Sequence, residues 1–319
     1  MTLTEPGFHT HGWRQALLER CAGRPPVMTA VVHPCDATAL GSAIQAAELG
    51  LITPILVGPE AKIRAAAAAV GADISRYRLE AVPHSHAAAA RGVALIKSGE
   101  ARLLMKGSLH TDELMHEVMA VETGLRTERR ISHVYIMDVP RYPRPLFITD
   151  AAINIAPSLD DKRDIVQNAI GLAHVLGVAC PCVAILSAVE TVNAKLQSTL
   201  DAAALCKMAD RGQISGGILD GPLAFDNAIS AEAAAEKGIV SDVAGQADIL
   251  VVPDLVSGNI LAKQLVFLAG ADAAGVVVGA RAPIILTSRA DAQSARIASC
   301  AVAVLMARAV EAAEPGVAV

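Results

Sequence analysis

Short apolar runs of strand length alternate with helical stretches along nearly the whole chain, and this alternation limits the fold more than any other feature. Residues 27–32, 54–57, 79–82 and 102–105 read as strands, separated by helical patterns over 37–49, 61–70 and 86–98. A further helix runs to Val121, with Thr111 or Asp112 as its N-cap. Strands follow at 131–139 and 145–149, and then a second alternating set: helix 160–176, strand 183–187, helix 201–209, strand 217–219, helix 231–236, strand 249–252 and helix 258–269. Strands at 274–278 and 284–286 and a helix over 295–313 close the chain. Helical stretches of this length between strands predict βαβ units, a parallel sheet and an α/β fold. Pro140-Arg141-Tyr142-Pro143-Arg144 is rich in chain breakers and is the candidate crossover between two domains.

The composition agrees. The hydrophobic fraction is 53% but the aromatic fraction only 3%, so the core is aliphatic, the habit of buried strands under Ala-rich helices. A net charge of −5 with no basic run argues against a nucleic-acid partner. No stretch approaches the ~18 apolar residues of a membrane span, and the longest suspect, 297–307, ends at Arg308. The N-terminus lacks a signal-peptide pattern. Six scattered cysteines, with Cys180-Pro-Cys182 too close for a CxxC pair, read as buried thiols of a cytoplasmic protein and offer no zinc set.

Five polar segments sit where strands end. The strand 284–286 stops at Thr287-Ser288-Arg289-Ala290-Asp291, just before the last helix. Helix N-termini at strand ends offer free N–H groups to anions, and Arg289 adds a fork suited to phosphate or carboxylate. The segment is either an anion site with a hydroxyl beside it or a helix cap formed by Ser288 or Asp291. In Lys106-Gly107-Ser108-Leu109-His110-Thr111, Gly107 lets backbone approach a ligand and Lys106 supplies a point charge, although an ordinary βα loop uses the same residues. Thr149-Asp150-Ala151-Ala152-Ile153-Asn154 is a ligand loop or an Asx turn. In the segment 219–228, Asp226 or Asn227 is a plausible N-cap. Pro253-Asp254-Leu255-Val256-Ser257-Gly258-Asn259 opens a helix directly after a strand, and Asp254 either orients a base or metal or caps a turn. GxGxxG, P-loop and GxSxG patterns are absent. The pairs His84/His86 and His110/His116 make no HExxH site.

Taken together these segments resemble the phosphate acetyl/butyryltransferase family. The resemblance is carried by Met105-Lys106-Gly107-Ser108, Gly124-Leu125-Arg126-Thr127, Ser132-His133-Val134, the segments 148–157 and 185–190, Asp220-Gly221-Pro222-Leu223-Ala224, the segment 248–254 and Leu286-Thr287-Ser288-Arg289-Ala290-Asp291. The wording is similar to the butyryltransferase branch, and closer still to the transferase half of bifunctional enoyl-CoA hydratase/phosphate acetyltransferases. The resemblance implies two three-layer αβα domains with a central cleft, on the plan of isocitrate and isopropylmalate dehydrogenases. The first domain would take 1–141 and 286–319, and the second 142–285, carrying a homodimer interface.

It also implies reversible transfer of an acetyl, propionyl or butyryl group between coenzyme A and inorganic phosphate. Coenzyme A enters as substrate, with no resident cofactor and no metal. That chemistry needs a thiolate, a polarised carbonyl and a held phosphate. The resemblance assigns Ser288 to the reacting centre and Arg289 to the phosphate or carbonyl oxygen, with Asp291 a possible base. The implied binding residues are Lys106, Gly107, Ser108, His110, Thr111, His116, Asp150, Asn154, Asp254 and Asn259. Two positions depart from the family pattern. The acetyltransferases keep an Asp seven residues after the Ser, where Ala295 stands here, and an Arg where His116 aligns. These departures leave the general base open. They also leave open a non-catalytic acyl-CoA-binding module; a metal- and NAD-dependent dehydrogenase on the same fold would need a cluster of metal-binding aspartates, which Asp220, Asp226 and Asp254 do not readily assemble.

Overall fold

The structure is a computed structural model and describes residues 12–286 and 291–313. In chain order the elements begin α1 (Gly12–Cys21), β1 (Val27–Val32), α2 (Ala37–Glu48), β2 (Ile52–Gly58), α3 (Glu60–Val70), β3 (Arg78–Ala81) and α4 (Ser85–Lys97). They continue with β4 (Leu103–Lys106), α5 (Thr111–Met119), β5 (Ser132–Asp138), β6 (Leu146–Thr149), α6 (Leu159–Val175), β7 (Cys182–Leu186) and α7 (Gln197–Asp210). The last are β8 (Ile218–Leu223), α8 (Phe225–Ile229), α9 (Ala231–Glu236), β9 (Ile249–Val251), α10 (Leu255–Phe267), β10 (Asp272–Val278), β11 (Ile284–Ile285) and α11 (Gln293–Ala313).

The chain forms two compact units. The first takes Leu18–His133 and the described residues from Ala274 onward. Its strands run in the order β3-β2-β1-β4-β11-β10. All neighbours are parallel except β10 and β11. Helices α2, α3 and α11 form one packed group on these strands, and α4 and α5 form another. Asp36 caps α2 by accepting from the Ala39 N–H at 2.7 Å, which fixes where β1 turns into helix. Residues Ala30, Val31, Val32, Ile55, Leu56, Leu103 and Leu104 are buried, the continuous apolar pattern of strands covered on both faces.

The second unit takes Val134–Ala273 and residues 12–17. Its strand order is β5-β6-β9-β7-β8, with β5 and β6 antiparallel and the rest parallel. Helix α6 packs on α7, and α8 on α9, while α10 lies against β6. A buried ion pair, Lys162 Nζ to Asp201 Oδ2 at 2.6 Å, ties α6 to α7, and Gln197 donates to the other Asp201 oxygen at 2.8 Å. The core of this unit is aliphatic, with Met137, Leu146, Ile148, Leu186 and Leu250 all buried.

Several local expectations are corrected. The strands are not parallel throughout, because the connections 139–145 and 279–283 are too short for a parallel crossover of roughly a dozen residues. Neither Thr111 nor Asp112 caps α5; His110 occupies the cap position and its side chain makes no capping bond. Asp226 and Asn227 lie inside the short helix α8, and Ser230 caps α9 by accepting from the Ala233 N–H at 3.2 Å. Helices α1 and α8 carry no clear apolar period and were not expected.

Candidate active site

In the first unit the ends of β1 and β4 lie side by side. Val32 registers with Lys106, so the next residues, His33 and Gly107, leave the sheet together. Gly107 donates its N–H to the Val32 carbonyl at 2.8 Å, and Ser108 donates its N–H to the His33 carbonyl at 2.9 Å. A side chain at 107 has no room, since a Cβ there would stand 2.4 Å from Val32 O and 2.5 Å from His33 O. His33 itself is left-handed, with φ 55°, and its N–H donates to Val57 O at 2.6 Å.

The Ser108 hydroxyl joins the two loops. It donates to the His33 carbonyl at 2.8 Å, accepts from the Cys35 N–H at 3.1 Å and lies 3.3 Å from His33 Nδ1. Burial, and then the positive charge of Lys62, lower the His33 pKa below its ordinary value; Glu113 and Asp36 oppose them more weakly. Burial pushes the nearby Cys35 thiol up to about 11, so it is protonated at neutral pH. Lys106 is buried, with Nζ 3.4 Å from the Gly107 carbonyl. Glu113 reaches toward His86 at 3.7 Å, and its Oε2 is buried without a hydrogen bond.

The expected binding residues divide between the two units. Lys106, Gly107 and Ser108 are gathered in this cluster of the first unit. His110 and Thr111 follow at the exposed start of α5. His116 lies five residues further along the helix, about 7 Å up its axis, and is exposed. Asp150, Asn154, Asp254 and Asn259 gather in the second unit. There the buried Asp150 carboxylate accepts four hydrogen bonds: from the N–H groups of Ala152 (2.9 Å), Ile153 (3.0 Å) and Asn154 (3.2 Å), and from Asn154 Nδ2 (2.6 Å). Asn259 donates to Ala151 O at 3.2 Å, and Asp254 caps α10 through the Ser257 N–H at 2.9 Å. Gly258 lets α10 approach this loop, for a Cβ would stand 3.0 Å from the Ala151 Cβ. These side chains build the loop and the helix start, so the Asx turn and the cap account for their geometry.

Ser288 and Arg289 lie outside the described residues. β11 runs parallel to β4 with Ile285 beside Met105, so Leu286 leaves the sheet at the same end as Lys106. Asp291 is exposed and precedes α11 rather than standing in its first turn. Ala295 is within that first turn, and its carbonyl accepts from Ser299 Oγ at 2.8 Å. Two residues escaped the sequence reading. Arg296 is a nearly buried guanidinium whose Nε donates to Asp291 O at 3.3 Å. His33 follows a clear strand and precedes a capped helix, the same signal that singled out the other loops. Asp220 accepts from the Gly221 N–H at 2.8 Å and Asp226 faces Lys237 at 3.9 Å. Among the described residues no three His, Cys, Asp or Glu side chains gather as a metal site.

Comparison with solved structures defines the fold class. A branched-chain phosphotransacylase from Enterococcus faecalis V583 superposes with a TM-score of 0.76 at 28% identity, covering 88% of this chain and 99% of that one. A 4-hydroxythreonine-4-phosphate dehydrogenase from Burkholderia phymatum shares the fold alone, with a TM-score of 0.52 at 12% identity over 89% of this chain and 99% of that one. The dehydrogenase-like α/β fold expected from the resemblance is therefore the fold of this chain. The profile of the phosphate acetyl/butaryl transferase family matches residues 80–304, and the chain belongs to that family. A phosphate acetyltransferase from Rhizobium meliloti is 67% identical over 291 residues, 91% of this chain and 92% of the relative.

Proposed function

We propose that the protein is an acyltransferase that moves a short acyl group reversibly between coenzyme A and inorganic phosphate. The observation that carries this reading is the 67% identity to a phosphate acetyltransferase across nearly the full length of both chains. The strand-end cluster suits the chemistry. Lys106 and the start of α5 would face phosphate, while Ser288 and Arg289, by family resemblance, would serve the reacting carbonyl and the departing phosphate. The thiolate of coenzyme A would attack the acyl phosphate directly with both substrates bound, so that proximity supplies much of the rate. Burial raises the pKa of Cys21, Cys35, Cys182, Cys206 and Cys300, which makes each of these five a poor nucleophile and weighs against a thioester on them; Cys180, expected to be buried, is exposed.

The test is release of free coenzyme A from acetyl-, propionyl- and butyryl-CoA. We expect phosphate-dependent release, fastest with acetyl-CoA, and no acyl adduct on the protein by mass spectrometry when phosphate is withheld. Tight binding of acyl-CoA without turnover would leave only the non-catalytic module.

The same reading includes a cytoplasmic homodimer. No helix among the described residues is long and apolar enough to cross a membrane, and the six cysteines are free thiols, as a reducing compartment maintains them. On α10, Val256, Ile260 and Phe267 lie within about 40° of one another around the helix axis and are exposed, with exposed Leu268 just beyond. Such a stripe suits a self-complementary interface. Sedimentation should give a dimer, and Ile260→Glu with Phe267→Glu should give monomers; a wild-type monomer at micromolar concentration would refute the dimer.

A further inference from the structure

Acyl transfer to or from coenzyme A needs a group that takes the thiol proton. Ala295 has no such group, and Asp291 stands exposed ahead of α11. His33 has one, and the hydrogen bonds around it decide where its lone pair lies. The Ser108 hydroxyl owns a single proton, and its shortest acceptor is the His33 carbonyl at 2.8 Å, which can only accept. The Cys35 N–H, 3.1 Å away, is a donor and takes one oxygen lone pair. Toward His33 Nδ1, at 3.3 Å, the hydroxyl therefore has only its second lone pair to offer. With the hydroxyl proton on the carbonyl, that contact is a hydrogen bond when Nδ1 carries a proton. The neutral ring then keeps its basic lone pair on Nε2, which has no hydrogen-bond partner among the described residues. The imidazole is half-buried at the sheet end that carries Lys106 and Gly107.

We infer that His33 Nε2 accepts the coenzyme A thiol proton, with Ser108 as the positioning residue that holds the Nδ1–H tautomer. This rests on the acyl-transfer reading above. In the direction of acyl-CoA synthesis the S–H bond breaks and its proton passes to Nε2. The sulfur electron pair forms the S–C bond to the acyl carbon. The C–O bond to phosphate then breaks, its electron pair leaving on the phosphate oxygen, and the imidazolium returns its proton to phosphate or water. The reverse direction retraces these steps. The electrostatic setting keeps the ring neutral and ready. Burial and Lys62 on α3 favour the free base; Glu113 on α5 and Asp36 beyond β1 pull the other way. His33 also lies outside the residues 80–304 matched to the family profile, so the assignment comes from this chain's own geometry.

Two measurements test it. Nitrogen-15 NMR of the histidine rings in the wild-type protein should show His33 neutral at pH 7.5 with the proton on Nδ1. A proton on Nε2, or a charged ring at that pH, overturns the assignment whether or not any variant folds. The kinetic test uses His33→Asn, because Asn tolerates the left-handed backbone that β-branched residues do not. Turnover should fall about 10²- to 10³-fold. The acidic limb of the kcat/KM profile should disappear, and added imidazole should restore part of the rate. Turnover within about threefold of wild type, or an unchanged acidic limb, overturns it. Wild-type protein without turnover on any short acyl-CoA would instead refute the acyl-transfer reading itself.

Discussion

Gly107→Ala should cost about 3 kcal/mol of stability and lower turnover at least ~100-fold. Position 107 is not left-handed, so the effect comes from space alone. The new Cβ would meet Val32 O at 2.4 Å, His33 O at 2.5 Å and the His33 carbonyl carbon at 2.7 Å. All three are backbone atoms with no rotamer to yield. Relief requires the β1 and β4 ends to part, and the hydrogen bonds that join them link Gly107 to Val32, and Ser108 to His33 and Cys35. A shift of 1 Å there displaces Lys106, Ser108 and His33 together, and misplacement on that scale costs about a hundredfold in rate. Thermal melting and the coenzyme A release assay on one preparation check both parts. A variant that melts within a degree of wild type would show that the loops adjust without strain.

Asp150→Ala should be the more destabilising change, at about 4 kcal/mol by urea denaturation. The side chain is 3% exposed and accepts from three backbone N–H groups and the Asn154 amide. Removing it strands four donors, of which the two on Asn154 are buried and those of Ala152 and Ile153 half-buried; a buried donor costs about 1–3 kcal/mol when unsatisfied, and water reaching the half-buried pair reduces the sum. Asp150→Asn should recover only part of the loss, because one of the two accepting oxygens becomes a donor facing donors. Asn154→Ala should cost less, since it leaves the three backbone N–H groups on Asp150 in place. If Asp150→Ala proves milder than Asn154→Ala, the carboxylate does not organise the loop.

The two predictions concern loops of different legibility. Both were visible as polar segments ending apolar runs, and their order along the chain carried the family resemblance. Their roles were not visible. The Thr149–Asn154 segment reads as a ligand loop or an Asx turn, and the four donors on Asp150 supply the turn with its geometry. Asp254 likewise caps α10. His110 and Thr111 followed the opposite course. Either hydroxyl or carboxylate at 111–112 would suit a cap, yet the helix starts after His110 without a side-chain bond. A cap is decided by the backbone angle at one residue, which composition cannot report.

The succession of strands and helices belongs to the sequence alone. The strand run 27–32, the helix 231–236 and the start of α6 near Asp160 follow from local periodicity and capping, which act over a few residues. The aliphatic core follows likewise from a chain with 3% aromatic residues. Neighbourhood in space does not. His33 and Ser108 are 75 residues apart and share a hydrogen bond only because β1 pairs with β4 on one side and β2 on the other, bringing their ends together. Strand order is chosen by the packing of whole helices against whole sheets. Only that packing turned a histidine with no motif into a neighbour of the Lys106–Thr111 loop, one of the segments expected to bind substrate.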